Sequence, residues 1–200
     1  MPDPQETHPR GRPRKFNKAD VTDVAMHAYW DAGPTEVSLN AICKRAGVSK
    51  PSVYREFGNE DGLTHAALDS YAQSVLGKLK AIIDGDDGFT RKVGQLVFLS
   101  VEDELHESGC LFVKMRAVKT QMGPKTQELI EQIERMALDA FAKILAEGRA
   151  SGEWAGNIPI DLGARYLHAQ IGLALDQRAR GQDPKAVLDL ALSVLSHPKA

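Results

Sequence analysis

The sequence predicts an all-α protein in which three N-terminal helices precede a larger helical part. Apolar residues recur at helical spacing in most segments. Residues that start and stop helices separate these segments, as Asn17 and the Gly33 and Pro34 pair do for the first one. From Phe89 onward no segment alternates apolar and polar residues as a half-buried strand does. With 200 residues, 42% of them hydrophobic, the chain is long enough to bury a sizeable core.

The first helix is predicted over residues 17–31. Asn17 can cap its start, and Gly33 with Pro34 ends it. Its apolar positions fall on one face of a helix. That face consists of Val21, Val24, Ala25, Ala28 and Tyr29.

Residues 38–57 predict two short helices separated by a single glycine. Ser38 can accept a hydrogen bond from an unpaired amide at the start of the first of them. Gly47 ends that helix, because a left-handed conformation costs glycine little. Ser49 can cap the second helix, and Val53 and Phe57 give it one apolar stripe. The side chains left to point elsewhere are Lys50, Ser52, Tyr54 and Arg55.

Helices this short are only marginally stable in isolation. Two of them joined by a tight turn, with cationic side chains on the second, are typical of a helix-turn-helix. The sequence AICKRAGVSKPSVYREF, followed by GNEDGL, resembles the TetR family of one-component transcriptional repressors over about residues 16–68. The resemblance implies a dimer that binds a pseudo-palindromic DNA operator. In each subunit the second helix of the helix-turn-helix would enter the major groove. The alternative is a helical hairpin that only packs.

Six further helices are predicted, over residues 59–83, 89–106, 111–121, 126–150, 160–180 and 184–196. Acidic residues in the first turn of the fourth helix favour its start there. The chain is thereby divided into a flexible basic arm (1–15), a helix-turn-helix domain (16–58) and a helical ligand-binding and dimerisation domain (59–200).

Between Arg10 and Arg55 there are nine basic and four acidic residues, which suggests that this end meets phosphate. Lys50, Ser52 and Arg55 are the candidates for contacts with base edges, and the resemblance implies phosphate contacts at Ser38, Ser49 and Tyr54. An arginine-rich arm can lie in a narrow minor groove, or it can be a solvated tail. The remaining DNA-binding candidates are Arg12, Arg14, Lys15, Lys44 and Pro51.

Two acidic residues depart from the family pattern. Glu56 stands where relatives often have histidine, and Glu60 where they commonly have lysine. Each replacement would lose a phosphate contact and place a negative charge near the DNA backbone. We therefore expect DNA affinity to depend more heavily on the basic residues around them.

The last two helices carry more apolar surface than one chain needs, which indicates a two-fold symmetric homodimer. The alternative is a core within one chain, and both can hold together. Small residues on the eighth helix would allow close helix approach. The interface candidates are Gly172, Leu188, Leu192 and Leu195.

Bulky apolar side chains with a few polar ones in the middle helices suggest a pocket for an unidentified small-molecule effector, although such stripes also form ordinary cores. The candidates are Phe98, Glu102, Phe112, Met115, Met122, Phe141, Trp154, Tyr166, His168 and Gln170.

Catalysis is not expected, because the chain has no Gly-rich phosphate loop, no G-x-S-x-G elbow and no metal-ligand spacing. Hence no cofactor and no metal are predicted. Two cysteines, the lack of a membrane-length apolar run and the lack of a signal peptide favour a cytoplasmic protein without membrane partners. Two alternatives stay open: an all-α small-molecule binding protein or enzyme that does not bind DNA, and a regulator that activates.

Overall fold

The computed structural model describes residues 16–102 and 108–196, and this part of the chain forms nine α-helices. The helices of the N-terminal part are α1 (Lys18–Ala32), α2 (Leu39–Ala46) and α3 (Lys50–Phe57). The others are α4 (Glu60–Asp84), α5 (Phe89–Val101), α6 (Leu111–Ala117), α7 (Pro124–Ser151), α8 (Ile160–Ala179) and α9 (Pro184–Ser196). The prediction of an all-α protein is confirmed.

The capping residues of α2 and α3 behave as the sequence predicts. The Ser38 hydroxyl accepts a hydrogen bond from the amide of Ala41, and the Ser49 hydroxyl accepts one from the amide of Ser52, both at 3.3 Å. Gly47 between the helices is left-handed, with φ 67°. These local contacts fix the angle between two helices that would be unstable alone.

Three helix boundaries differ from the prediction by two residues or more. The sixth helix stops at Ala117 and continues only as a 3₁₀ turn at Lys119–Gln121, because Val118 leaves the helical conformation. Helix α7 starts at Pro124 rather than residue 126, since proline suits a first turn in which its missing N–H would be unpaired anyway. Helix α5 ends at Val101, and the predicted extension to residue 106 enters residues 103–107, outside the described part.

The helix-turn-helix and the helical body share one hydrophobic core. Val21, Ile42 and Val53, from α1, α2 and α3, pack in the same cluster as Leu68 of α4 and Ile130 of α7. A second cluster lies further from this end and joins α4, α5, α7, α8 and α9. Helix α4 contributes to both clusters, so it connects the N-terminal helices to the rest of the body.

Candidate nucleic-acid interface and interior cavity

Helix α3 buries one side and exposes the other. Val53 and Phe57 are buried, as predicted, while Pro51, Tyr54 and Arg55 are exposed. Lys50 and Ser52 are partly exposed beside them. The structure therefore presents the polar face of α3 to solvent, where a ligand as large as a nucleic acid can reach it.

Lys50 and Tyr54 meet an acidic residue from the next helix. The Tyr54 hydroxyl donates a hydrogen bond of 3.2 Å to the Glu60 carboxylate, and the Lys50 ammonium lies 3.5 Å from the same oxygen. The ammonium also lies over the Tyr54 ring, 5.4 Å from its centre. Tyr54 first, and also Glu60, raise the pKa of Lys50, which keeps it cationic. Glu60 thus holds two side chains that the sequence assigns to DNA.

The other DNA-binding candidates lie around this face. Ser38 and Ser49 are exposed and cap their helices, and Lys44 is exposed in the last turn of α2. The Arg55 guanidinium lies 3.5 Å from Glu56. Arg12, Arg14 and Lys15 lie outside the described residues.

The body contains a largely apolar cavity of about 90 Å³, partly open to the surface. Five helices, α4 to α8, supply its walls, and representative lining residues are Tyr71, Leu76, Phe112, Phe141, His168 and Leu175. Three of the residues that the sequence analysis proposes for ligand binding line this cavity: Phe112, Phe141 and His168. The sequence analysis missed Tyr71, whose only signal was a place on the apolar face of α4.

Several predicted ligand contacts are not part of this cavity. Phe98 is 56% exposed on the outside of α5, and Glu102 is also exposed. Met115 is fully buried in the hydrophobic core and does not line the cavity. Met122 lines a separate polar groove beside Asp61.

Trp154, Tyr166 and Gln170 also lie outside the cavity lining. Trp154 is held elsewhere, because its indole N–H donates a 3.0 Å hydrogen bond to the carbonyl of Leu195 and the Arg149 guanidinium lies 4.8 Å from its ring centre. These contacts make Trp154 a structural residue of the loop before α8. Tyr166 and Gln170 are partly exposed on α8.

His168 lines the cavity beside a charged pair formed by Arg116 and Glu134. Its Nδ1 atom lies 3.3 Å from the Arg116 guanidinium, which also contacts the Glu134 carboxylate at 3.2 Å. Burial first, and then the Arg116 charge, lower the pKa of His168. The guanidinium can only donate, so Nδ1 accepts and the proton of the neutral ring lies on Nε2.

The predicted interface residues lie largely inside the chain, and their role in a dimer stays a prediction. Leu188 and Leu195 are buried in the chain's own core, Leu192 is half-buried, and Gly172 lines the cavity. The buried side chains cannot supply much surface to a partner, because α9 turns them towards α5 and α8. The large apolar side chains that α8 and α9 expose are Leu162, Leu173, Leu190 and Val194.

Residues 16–102 and 108–196 contain neither a metal site nor a membrane-spanning helix. No cluster of three or more histidine, cysteine, aspartate or glutamate side chains there could hold a metal ion. Over the same residues, every helix is too short or too polar to span a bilayer.

The sequence and the fold are both similar to those of known proteins. Residues 21–67, which run from α1 into α4, match the model of the bacterial regulatory proteins of the tetR family. By this match, the N-terminal helices form a helix-turn-helix domain of the TetR family. The transcriptional repressor ComR of Escherichia coli is 36% identical over 72 residues, which span 34% of ComR and 36% of this chain. Over a longer stretch, the Bacillus subtilis regulator YezE is 23% identical across 79% of this chain and 84% of its own.

The TetR fold extends over the body as well. The reduced form of Escherichia coli NemR superposes with a TM-score of 0.79 at 17% identity, covering 92% of this chain and 99% of NemR. CifR, a TetR-family regulator solved with a 26-base-pair operator DNA, gives a TM-score of 0.73 at 21% identity, covering 94% of this chain and all of CifR. The matched family comprises transcriptional regulators, so the expectation of a non-enzyme is confirmed on this ground.

Proposed function

We propose that this TetR-family protein is a transcriptional repressor that binds a pseudo-palindromic operator as a homodimer and is released by a small molecule. The observation that carries the proposal is helix α3, which buries Val53 and Phe57 and presents a polar, cationic face to solvent. The similarity to ComR, named a repressor, favours repression over activation. Action on DNA would place the protein in the cytoplasm.

In this proposal α3 lies in the major groove and the surrounding residues fix its position. Lys50, Ser52 and Arg55 contact base edges, while Pro51 keeps the first turn of α3 close to the DNA backbone. Phosphates receive hydrogen bonds from Tyr54 and from the two capping serines, and charge from Lys44. The phosphate contacts at the helix starts are Ser38 and Ser49. The basic arm, with Arg12, Arg14 and Lys15, lies in the adjacent minor groove.

The homodimer forms through the exposed apolar side chains of α8 and α9. Leu162 and Leu173 on α8 and Leu190 and Val194 on α9 are each at least 45% exposed. Pairing these helices across a two-fold axis would bury them, and the two α3 helices would then meet grooves about 34–36 Å apart.

The dimer can be tested with two matched substitutions on α9. Leu190→Glu with Val194→Glu should give folded monomers in analytical ultracentrifugation, because charges replace exposed apolar groups. Leu188→Glu should instead reduce helicity, because its side chain is only 1% exposed within the chain. A dimer that survives the double change would place the interface elsewhere.

Operator binding is tested by fluorescence anisotropy with the DNA upstream of the protein's own gene. Lys50→Ala or Arg55→Ala should each weaken specific binding by about 1–3 kcal/mol. Arg135→Ala, which removes an exposed cation from α7, is the control for charge and should bind as the wild type does. If all three variants and the wild type bind no DNA, the chain is an all-α small-molecule binding protein instead.

A further inference from the structure

The cavity contains four lining residues with polar side chains, and three of them are hydrogen-bonded through at least one atom or are weakly polar. The Ser100 hydroxyl donates a 2.9 Å hydrogen bond to the carbonyl of Leu96. His168 accepts from Arg116 through Nδ1, and its Nε2 proton is a second donor at the cavity. Cys110 presents a buried thiol, which is a weak hydrogen-bonding group. The fourth is Tyr71.

Tyr71 is 1% exposed, and its hydroxyl has no hydrogen-bond partner. The Cys110 thiol and the Leu111 amide are its polar neighbours, and neither makes a hydrogen bond of normal geometry with it. Burial raises the pKa of Tyr71 far above its usual value, so the phenol is neutral and can donate. A buried polar group without a partner is costly, and such groups are rare in native structures.

The same ring touches the helix-turn-helix. The rings of Tyr71 and Trp30 meet edge to face with their centres 4.8 Å apart, and Trp30 belongs to α1. The Trp30 indole N–H donates a 2.9 Å hydrogen bond to the carbonyl of Gly109, the residue before Cys110. One residue of the cavity wall, Tyr71, and the chain neighbour of another, Gly109, are therefore in direct contact with Trp30 of α1.

We propose that the cavity binds a compact, uncharged, mainly apolar molecule of about one ring. Its single oxygen accepts a hydrogen bond from Tyr71, and Trp30 transmits the effect of binding to α1. The inference rests on the effector role in the proposed function and specifies its chemistry. Such a ligand supplies the acceptor that the Tyr71 hydroxyl lacks, while its apolar part meets the apolar walls.

Size and charge restrict the ligand further. The cavity of about 90 Å³ is smaller than the roughly 150 Å³ of an apolar cavity known to bind benzene, so it sets one ring as the upper limit for a ligand that does not extend through its opening. A charged ligand would lose its hydration without gaining a counter-charge. The nearby guanidinium of Arg116 is already paired with Glu134.

The test compares three probes of similar size by isothermal titration calorimetry: phenol, toluene and benzoate. Phenol should bind more tightly than toluene by about two- to tenfold, the factor that one net hydrogen bond contributes. Benzoate should bind more weakly than either. Equal affinities for phenol and toluene, or tightest binding of benzoate, would overturn the proposal, as would a lack of binding by all three.

Three variants locate the effect. Tyr71→Phe should weaken phenol to the level of toluene and leave toluene unchanged, while Tyr166→Phe, outside the cavity, should behave as the wild type does. Ala137→Leu fills the cavity and should weaken both probes. A phenol preference that persists in a folded Tyr71→Phe protein would show that another group is the donor.

Operator affinity with and without saturating phenol tests the link through Trp30. We expect phenol to lower the affinity of the wild type and to leave Tyr71→Phe unaffected. Phenol that binds through Tyr71 without changing operator affinity would overturn the link. If the wild type binds no operator at all, the proposed function fails, whereas calorimetry still decides the ligand chemistry separately.

Discussion

The Asp61 carboxylate caps a helix that begins far along the chain, accepting a 2.7 Å hydrogen bond from the hydroxyl of Thr126. The amides of Thr126 and Lys125 donate to the same carboxylate at 3.1 and 2.9 Å. Asp61 lies in the first turn of α4, directly after the helix-turn-helix, and the amides belong to the first turn of α7. One side chain therefore joins the start of α4 to the start of the longest helix of the body.

Removing this cap should destabilise the protein. Asp61→Ala leaves two amides and one hydroxyl at the start of α7 without their acceptor, so we expect a loss of about 1–2 kcal/mol in urea unfolding. Asp139→Ala removes an exposed carboxylate from α7 and serves as the control. Equal stabilities of the two variants would show that water replaces the carboxylate without cost.

The contribution of Asp61 should also depend on pH. Burial alone would raise the pKa of Asp61, but hydrogen bonds from Thr126 and Lys125 outweigh it and lower the pKa below the ordinary 3.8. A lowered pKa in the folded state stabilises the protein above the ordinary value, and this stability is lost as the pH falls through the folded pKa. The stability difference between wild type and Asp61→Asn, followed by urea unfolding from pH 7 to pH 2.5, should therefore shrink below about pH 4. A stability difference that stays constant from pH 7 to pH 2.5 would contradict a lowered pKa of Asp61 in the folded protein.

Gly123 makes the close approach of these two helices possible. A Cβ atom added at residue 123 would lie 2.3 Å from Cγ of Asp61, whereas one added at Gly77 in α4 would meet nothing within 4 Å. We expect Gly123→Ala to lower the melting temperature. Gly77→Ala should raise it slightly, because alanine is favoured by about 0.5–1 kcal/mol inside a helix. Similar shifts in both variants would show that the Asp61 side chain moves aside freely.

In the proposed complex, Glu60 would compete with DNA for Lys50 and Tyr54, which it contacts in the free protein. Glu60→Gln removes the negative charge that pairs with Lys50, so operator affinity should rise about two- to fivefold, the scale of an exposed ion pair. Glu128→Gln, at an exposed site on α7, controls for overall charge. Fluorescence anisotropy at fixed salt measures both. Weaker binding of Glu60→Gln would mean that Glu60 positions Tyr54 productively.

Two buried tyrosines should respond in opposite directions to loss of the hydroxyl. Tyr71→Phe removes an unpartnered polar group, so it should raise the free energy of unfolding of the ligand-free protein by about 1 kcal/mol and raise its melting temperature. Tyr29→Phe deletes a hydroxyl that lies 3.3 Å from that of Thr64 and should lower it. Destabilisation in both variants would show that the Tyr71 hydroxyl has a partner in solution.

The sequence predicted most helices well because their ends have chemical markers. Helix α9 has the predicted bounds, and α2 and α3 are fixed by Ser38, Gly47 and Ser49. The cavity was harder, because helical periodicity shows that a helix has an apolar face without showing which neighbour that face meets. Phe98 and Leu188 illustrate this: both are apolar, yet one is 56% exposed and the other is in the core.

The core shared by α1, α2 and α3 with α4, α6 and α7 has a consequence for how the protein unfolds. Ile42 and Val53 are fully buried in a cluster that also holds Met115 and Ile130 of the body. A fragment that ends at residue 58 would expose this apolar surface to water. The DNA-binding end and the body should accordingly melt in a single cooperative transition, and a molecule bound in the body would protect the N-terminal helices from proteolysis.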